Sequence, residues 1–128
     1  MKWSVEDGSS YVTVRTEGHF SADDHRAMVV DILALPFWSA GRDVLFDHRA
    51  LSLSGSDYTT MAMAVQNHRT FDRQIGSGRA AILMASPADY GLARIFDALA
   101  ADTVHADMRI FLDEDAARAW LAEPRLSP

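Results

Sequence analysis

Asp47, His48 and Arg49 stand in succession directly after the apolar run Val44-Leu45-Phe46. An acid, an imidazole and a guanidinium side by side are groups that bind anions or move protons. A second polar set, Ser86, Asp89 and Tyr90, follows the apolar run Ala80 to Ala85. In open α/β sheets, ligands gather beyond the C-terminal ends of parallel strands, where helix N-termini also point. Both sets fall at such ends, so the first functional expectation is one polar pocket holding an acid, an imidazole, a guanidinium and a phenol. An enzyme built on Asp47, His48, Arg49 and Tyr90 would need those side chains within about 3–4 Å of a common point. Helix capping accounts for Ser86 and Asp89 without any ligand, because Ser86 at the N-cap with Asp89 three residues on forms a capping box. Capping being the simpler account, these residues carry the expectation of no catalytic residue and no cofactor.

Other chemistries fare worse. Five histidines (His19, His25, His48, His68 and His105) raise a metal site, but their spacing matches no H-E-x-x-H motif. His19 and His48, each following a strand, with Asp47 as a third ligand, are the combination the topology could gather; scattered surface histidines and no metal are expected instead. No G-x-S-x-G elbow exists, and Ser86 is followed by a proline, where an oxyanion hole wants a backbone N–H. Gly76-x-Gly78 precedes a strand and so reads as a turn, not a phosphate cradle. The chain has no cysteine, which removes disulfides, thiolate metal sites and cysteine nucleophiles.

Net charge narrows the partners. At −6 the chain lacks the basic face that nucleic acid or an anionic membrane surface requires. No segment approaches the ~20 apolar residues of a bilayer span, and the first ten residues carry no apolar core of signal-peptide length. A cytoplasmic protein is expected. The 128 residues suit one domain, and 1-128 is read as such.

The elements that must position these groups follow from periodicity and punctuation. Trp3 to Glu6 and Tyr11 to Thr16 read as a hairpin across Asp7-Gly8-Ser9-Ser10. Ser21 caps a helix carrying Met28, Val29, Ile32, Leu33 and Leu35, stopped by Pro36. Val44 to Phe46 is a short strand, Leu51 to Ser56 a loop. Asp57 or Ser56 starts a helix running to about Arg73, with Tyr58, Met61, Ala62 and Val65 on one face. Ala80 to Ala85 is apolar without alternation, as a strand covered on both faces must be. Leu92, Ile95, Phe96 and Leu99 then stripe a helix whose N-cap is Ser86 and whose first position is Pro87. Gly91 in that first turn is unfavourable on propensity, and close packing is the expected reason. Met108 to Leu112 is a last strand, and Asp113 caps a helix docking Trp120 and Leu121 on the core. Glu123 to Pro128 should fray. The fold class predicted is α/β: a mixed, mostly parallel five-stranded sheet with four helices.

Gly78-Arg79-Ala80-Ala81-Ile82 through Tyr90-Gly91-Leu92-Ala93-Arg94-Ile95-Phe96 resembles the STAS-like, SpoIIAA-like domains. So does the ending Arg109-Ile110-Phe111 with Asp115-Ala116-Ala117-Arg118-Ala119-Trp120-Leu121. Asp47-His48-Arg49 looks like the Asp-x-Arg of many such proteins. The resemblance covers nearly the whole chain and implies STAS topology and a non-enzymatic, regulatory or protein-binding role. The anti-sigma-factor antagonists of this class are phosphorylated on a serine in an Asp-Ser-Ser-Gly type motif. The matching stretch, Asp47 to Ser56, has serines in a longer loop without that motif intact.

Two functions result. The first is a regulatory interaction domain meeting a protein partner, or a second copy as a homodimer, through the Asp47–Ser56 loop and the next helix. Its candidate surface is Asp47, His48, Arg49, Ser54, Ser56, Tyr58, Asp89 and Tyr90. The alternative is a small-molecule or lipid-binding module of the SpoIIAA-like/CRAL-TRIO type, its apolar ligand near Trp38, Tyr58 and Tyr90. Phe37, Trp38, Met28, Met61 and Met63 could also make an apolar surface patch.

Overall fold

Four polar caps set where the main helices begin. Ser21 Oγ accepts from the Asp24 N–H at 3.1 Å, Asp57 Oδ1 from Thr60 at 3.0 Å, Ser86 Oγ from Asp89 at 3.2 Å and Asp113 Oδ1 from Asp115 at 3.3 Å. Each satisfies a backbone donor that the first helical turn leaves without a partner. The computed structural model describes residues 1–125. Its order is β1 (Lys2–Asp7), β2 (Val12–His19), α1 (Ala22–Leu33), β3 (Val44–Ser52), α2 (Tyr58–Thr70), α3 (Asp72–Ile75), β4 (Arg79–Leu83), α4 (Pro87–Ala100), β5 (Asp107–Phe111) and α5 (Glu114–Ala122).

The strands form one sheet in chain order, with β1 antiparallel to β2 and every later neighbour parallel. This is the mixed, mostly parallel five-stranded sheet that the sequence predicts. β4 lies inside it, parallel to β3 and β5, with Ala81 and Leu83 wholly buried. Its residues alternate between two covered faces. Ala81 and Leu83 join Leu45 under Ala117, Trp120 and Leu121 of α5. Ile82 joins Leu51, Met84 and Ile110 under Ala93 of α4. Burial on both faces is why this strand reads as an unbroken apolar run. On the same side as α4, α1 covers Val12, Val14 and Val44 with Met28 and Ile32. Between α1 and α4 lies α2, whose Met61, Ala64 and Val65 meet Phe96 and Ala100.

Several expectations need correction. Among the described residues there are five helices, four of them long, because the expected run to Arg73 breaks after Thr70 and the four-residue α3 follows. The loop expected from Leu51 is strand as far as Ser52, since Leu51 is a buried core residue held in the sheet. The full capping box occurs at Asp57–Thr60; at Ser86 only the serine's half is made. Tyr58 leaves the apolar face of α2, which is built from Met61, Ala64, Val65 and His68. A Cβ at Gly91 would meet nothing within 4 Å, so packing does not explain that glycine. Gly76 and Gly78 do carry such a constraint: added Cβ atoms would lie 2.4 Å from Gly41 N and Gly41 O respectively. The apolar patch does not form, because Met28 and Met61 are buried and Phe37 and Trp38 pack on the α1 core. At the C-terminal end, Arg79 Nη1 donates to Glu123 O at 2.9 Å and Arg125 pairs with Asp43, so Glu123 and Arg125 are tied down. Leu126, Ser127 and Pro128 lie outside the described residues.

Candidate functional site

Strand alternation splits the Asp47-His48-Arg49 triplet between the two faces of β3. Asp47 and Arg49 leave together on the face that carries α5. Arg49 Nε donates to Asp47 Oδ1 at 3.0 Å and its Nη2 to Oδ2 at 2.9 Å, a bidentate pair. The same Nη2 reaches Glu114 Oε1 at 2.6 Å, and Arg118 Nε reaches Glu114 Oε2 at 3.0 Å. Arg118 also donates to the Tyr11 hydroxyl. The hydrogen bond from Arg49 holds the Asp47 carboxyl below its ordinary range, against a smaller opposing effect of burial. Glu114 is lowered in the same way, first by Arg118 and then by Arg49. The guanidiniums are thus already matched to carboxylates of this chain.

His48 leaves on the other face. Its Nδ1 lies 2.6 Å from Thr16 Oγ1, and its ring stacks on Phe46 at 5.5 Å. Just beyond it the register with β2 slips: Arg15 faces Asp47, but Glu17 faces Ala50. The extra residue in β3 is a bulge, which reverses the alternation. As a result Phe46 and His48 before it, and Leu51 and Leu53 after it, all line one cavity beneath the helices.

That cavity has a volume of about 70 Å³. α1 contributes His25 and Met28, α2 contributes Met61, Ala64 and His68, and α4 contributes Ala93 and Phe96. His25 and His68 are 8% and 7% exposed, with rings stacked 5.7 Å apart. Phe96 meets both rings edge-on, at 6.2 and 5.4 Å. Burial pulls the His25 imidazole down to about 3, with help from the neighbouring His68 and His48. Burial brings His68 to about 4, opposed by Asp72, and His48 to about 4, opposed by Asp47. All three are neutral near pH 7, since taking the charged form out of water is costly. His68 Nδ1 is buried with no hydrogen-bond partner. No group of three metal-ligating side chains is assembled among the described residues.

The remaining predicted residues are dispersed. Ser54 is exposed and Ser56 half-buried in the turn before α2, where Ser56 N donates to Leu53 O at 3.0 Å. Tyr58 is 61% exposed. Asp89 and Tyr90 are half-buried in the first turn of α4, with Tyr90 packed beside Ile82 and Met84 and Arg94 over its ring at 6.0 Å. Asp47 and Arg49 therefore lie across the sheet from His48 and Tyr90, and the single polar pocket expected from the triplet is not formed. His19 is exposed. The expectation of scattered surface histidines fails for His25 and His68. Trp38, Tyr58 and Tyr90 do not line the histidine cavity.

The signal that could have found those two histidines is the helical period. His25, Met28, Val29 and Ile32 stand at i, i+3, i+4 and i+7, as do Met61, Ala64, Val65 and His68. Each histidine belongs to the stripe its helix turns to the core.

A mixed sheet ordered as the chain runs, with α5 on one face and the long helices α1, α2 and α4 on the other, defines a small α/β domain of a recognisable kind. The SpoIIAA-like family model matches residues 11–122, and the chain belongs to the SpoIIAA-like family. Among solved structures, it is similar to an uncharacterized DUF3478-family protein with a SpoIIAA-like fold from Shewanella loihica PV-4. The TM-score is 0.59 at 14% identity, covering 94% of this chain and 93% of that one. It is also similar to the anti-sigma factor antagonist SpoIIAA in its unphosphorylated form, with a TM-score of 0.53 at 16% identity, covering 97% of this chain and 100% of that one. No curated protein matches the chain. No helix among the described residues is long and apolar enough to cross a membrane.

Proposed function

We propose that this chain is a regulatory domain without turnover of its own, which meets a protein partner at the corner between β3 and α2. The observation that carries this reading is the mixed surface left out at that corner. Tyr58 and Met63, 61% and 51% exposed, flank the turn bearing Ser54 and Ser56. Beside them runs an open groove of about 310 Å³ between that turn and the start of α1, bounded by Ser21, Ser54, Ser56 and Met63. Large side chains kept in water next to polar ones are a common mark of contact surfaces. The absence of turnover is supported by the separation of His48 and Tyr90 from Asp47 and Arg49 across the sheet.

Carriage of a lipid finds less support, because about 70 Å³ is roughly half of the ~150 Å³ that encloses a benzene. The test of the partner reading is cross-linking in the source cell with the wild-type chain and with a Tyr58→Glu/Met63→Glu variant. A protein captured by the first and lost from the second is expected, with sedimentation showing whether the partner is a second copy. Equal capture by both chains, or a strict monomer that captures nothing, would end the proposal.

A further inference from the structure

β1 stands at the edge of the sheet, and no strand lies beyond it among the described residues. Its neighbour shows which of its backbone groups that edge leaves over. Val12 N donates to Asp43 O at 3.0 Å, so Val12 turns its backbone toward β3. Backbone direction alternates along a strand, so Thr13 and Arg15 turn theirs toward β1, onto Glu6 and Ser4. Trp3, Val5 and Asp7 therefore hold their N–H and C=O groups outward, a row of donors and acceptors that a further strand would satisfy. Beside this edge α1 leaves an apolar stripe uncovered. Ala27, Val30 and Ala34 stand at i, i+3 and i+7 and are exposed, and with Trp3 they border one open groove.

The side chains of β1 complement a second copy of the same strand. Trp3 and Val5 lie on the α1 side, against its core, and alternation puts Lys2, Ser4 and Glu6 on the opposite face. When two copies pair antiparallel about Ser4, Lys2 lies opposite the partner's Glu6 and Trp3 opposite the partner's Val5. Trp3 and Val5 are the residues whose backbones point outward, so this register also exchanges main-chain hydrogen bonds between them. Sliding the strands by two residues either way sets Lys2 or Glu6 opposite the partner's Ser4 and leaves the charges unmatched. Opposite charges directly across an antiparallel pair stabilise it, and like charges destabilise it. Glu6 meets Arg15 at 3.0 Å within its own chain, yet its side chain is 69% exposed and open to the partner's Lys2. A two-fold axis through Ser4, perpendicular to the sheet, keeps both α1 helices on one side of it, with their uncovered stripes flanking the seam.

We propose that β1 is the seam of a homodimer, in which two copies of this chain join antiparallel about Ser4 into one continuous sheet, away from the corner between β3 and α2. Sedimentation equilibrium of the full chain, from about 1 μM to about 1 mM, should show reversible dimers. Lys2→Glu and Glu6→Lys each set like charges across the seam twice per dimer, and each should raise the Kd about tenfold. In an equimolar mixture of these two variants every such pair is opposite again, and the Kd should return toward the wild-type value. Val5→Pro removes an outward N–H that β2 does not use, and should give a folded chain by circular dichroism that stays monomeric. If that variant does not fold, the mixture still decides the matter. Tyr58→Glu/Met63→Glu should dimerise as the wild type does, which separates this seam from the corner. Monomers throughout in the wild type would overturn the proposal, as would loss of the dimer in Tyr58→Glu/Met63→Glu. A mixture of the charge variants that associates no more tightly than either alone would overturn the register about Ser4.

Discussion

Lowering the pH should unfold this protein through its two innermost histidines before most carboxylates titrate. In the folded chain His25 and His68 take up protons only near pH 3 and 4; in the unfolded chain both titrate near an ordinary ~6.5. The sign follows from linkage. Above pH ~6.5 both states carry neutral rings and the histidines leave stability unchanged with pH. Below it the unfolded chain binds protons that the folded chain refuses, so stability falls by up to about 1.4 kcal/mol per pH unit per histidine. At pH 5 each has removed about 2 kcal/mol, and the pair about 4, a large part of the 5–15 kcal/mol typical of a domain. The loss continues down to the folded values near pH 3 and 4. The assay is urea unfolding followed by far-UV circular dichroism at half-unit steps from pH 7.5 to 4.5, with the wild-type chain and His25→Phe/His68→Phe. Reading the difference between the two chains cancels the carboxylates they share. Between pH 6.5 and 5 the wild type should lose about 4 kcal/mol more than the variant, because the loss through His48 is shared by both chains. Parallel slopes for the two chains would show that these rings are not held neutral by the fold.

Four further outcomes can be checked by thermal or urea unfolding. Gly91→Ala should stabilise by about 0.5–1 kcal/mol and raise the Tm, because the site is helical, exposed and open; a lower Tm would contradict the open space. Gly78→Ala should destabilise by about 1–3 kcal/mol, since its Cβ would sit 2.4 Å from Gly41 O and 2.5 Å from Arg42 O; a neutral result would mean the crossing can move apart. Leu83→Ala, at a wholly buried position between β3, β5 and α5, should cost about 2–5 kcal/mol. Arg118→Ala should cost less than about 1 kcal/mol at pH 7, as expected of half-exposed ion pairs; a cost of several kcal/mol would show that the Tyr11–Arg118–Glu114 chain anchors α5.

Local chemistry made much of this fold legible in the residues themselves. Ser21, Asp57, Ser86 and Asp113 mark helix starts because a side-chain oxygen so placed satisfies a backbone N–H wherever the helix later packs. The unbroken Ala80–Leu83 run announces a doubly covered strand for an equally local reason. The candidate site was legible only in part. Its residues were drawn from polar groups near strand ends, and polarity in a sequence does not say which face of a strand a group takes. Asp47, His48 and Arg49 read as one cluster because they are adjacent, yet alternation sends the middle one through the sheet. His25 and His68 passed for surface residues because histidine is ordinary in either setting, although their place in each helical stripe pointed inward.

What the sequence determined by itself, then, is the order of the five strands and four long helices and the apolar stripes on most of them, since caps, periodicity and apolar runs act over a few residues. What only the tertiary structure decided is the cavity and its chemistry. The slip between β2 and β3 arises from pairing strands distant in sequence, and it turns Leu51 and Leu53 to the same side as Phe46 and His48. The bond from Asn67 to His25 joins α2 to α1 across 42 residues of chain. Neither has a local cause, because each depends on elements meeting only after the chain has folded.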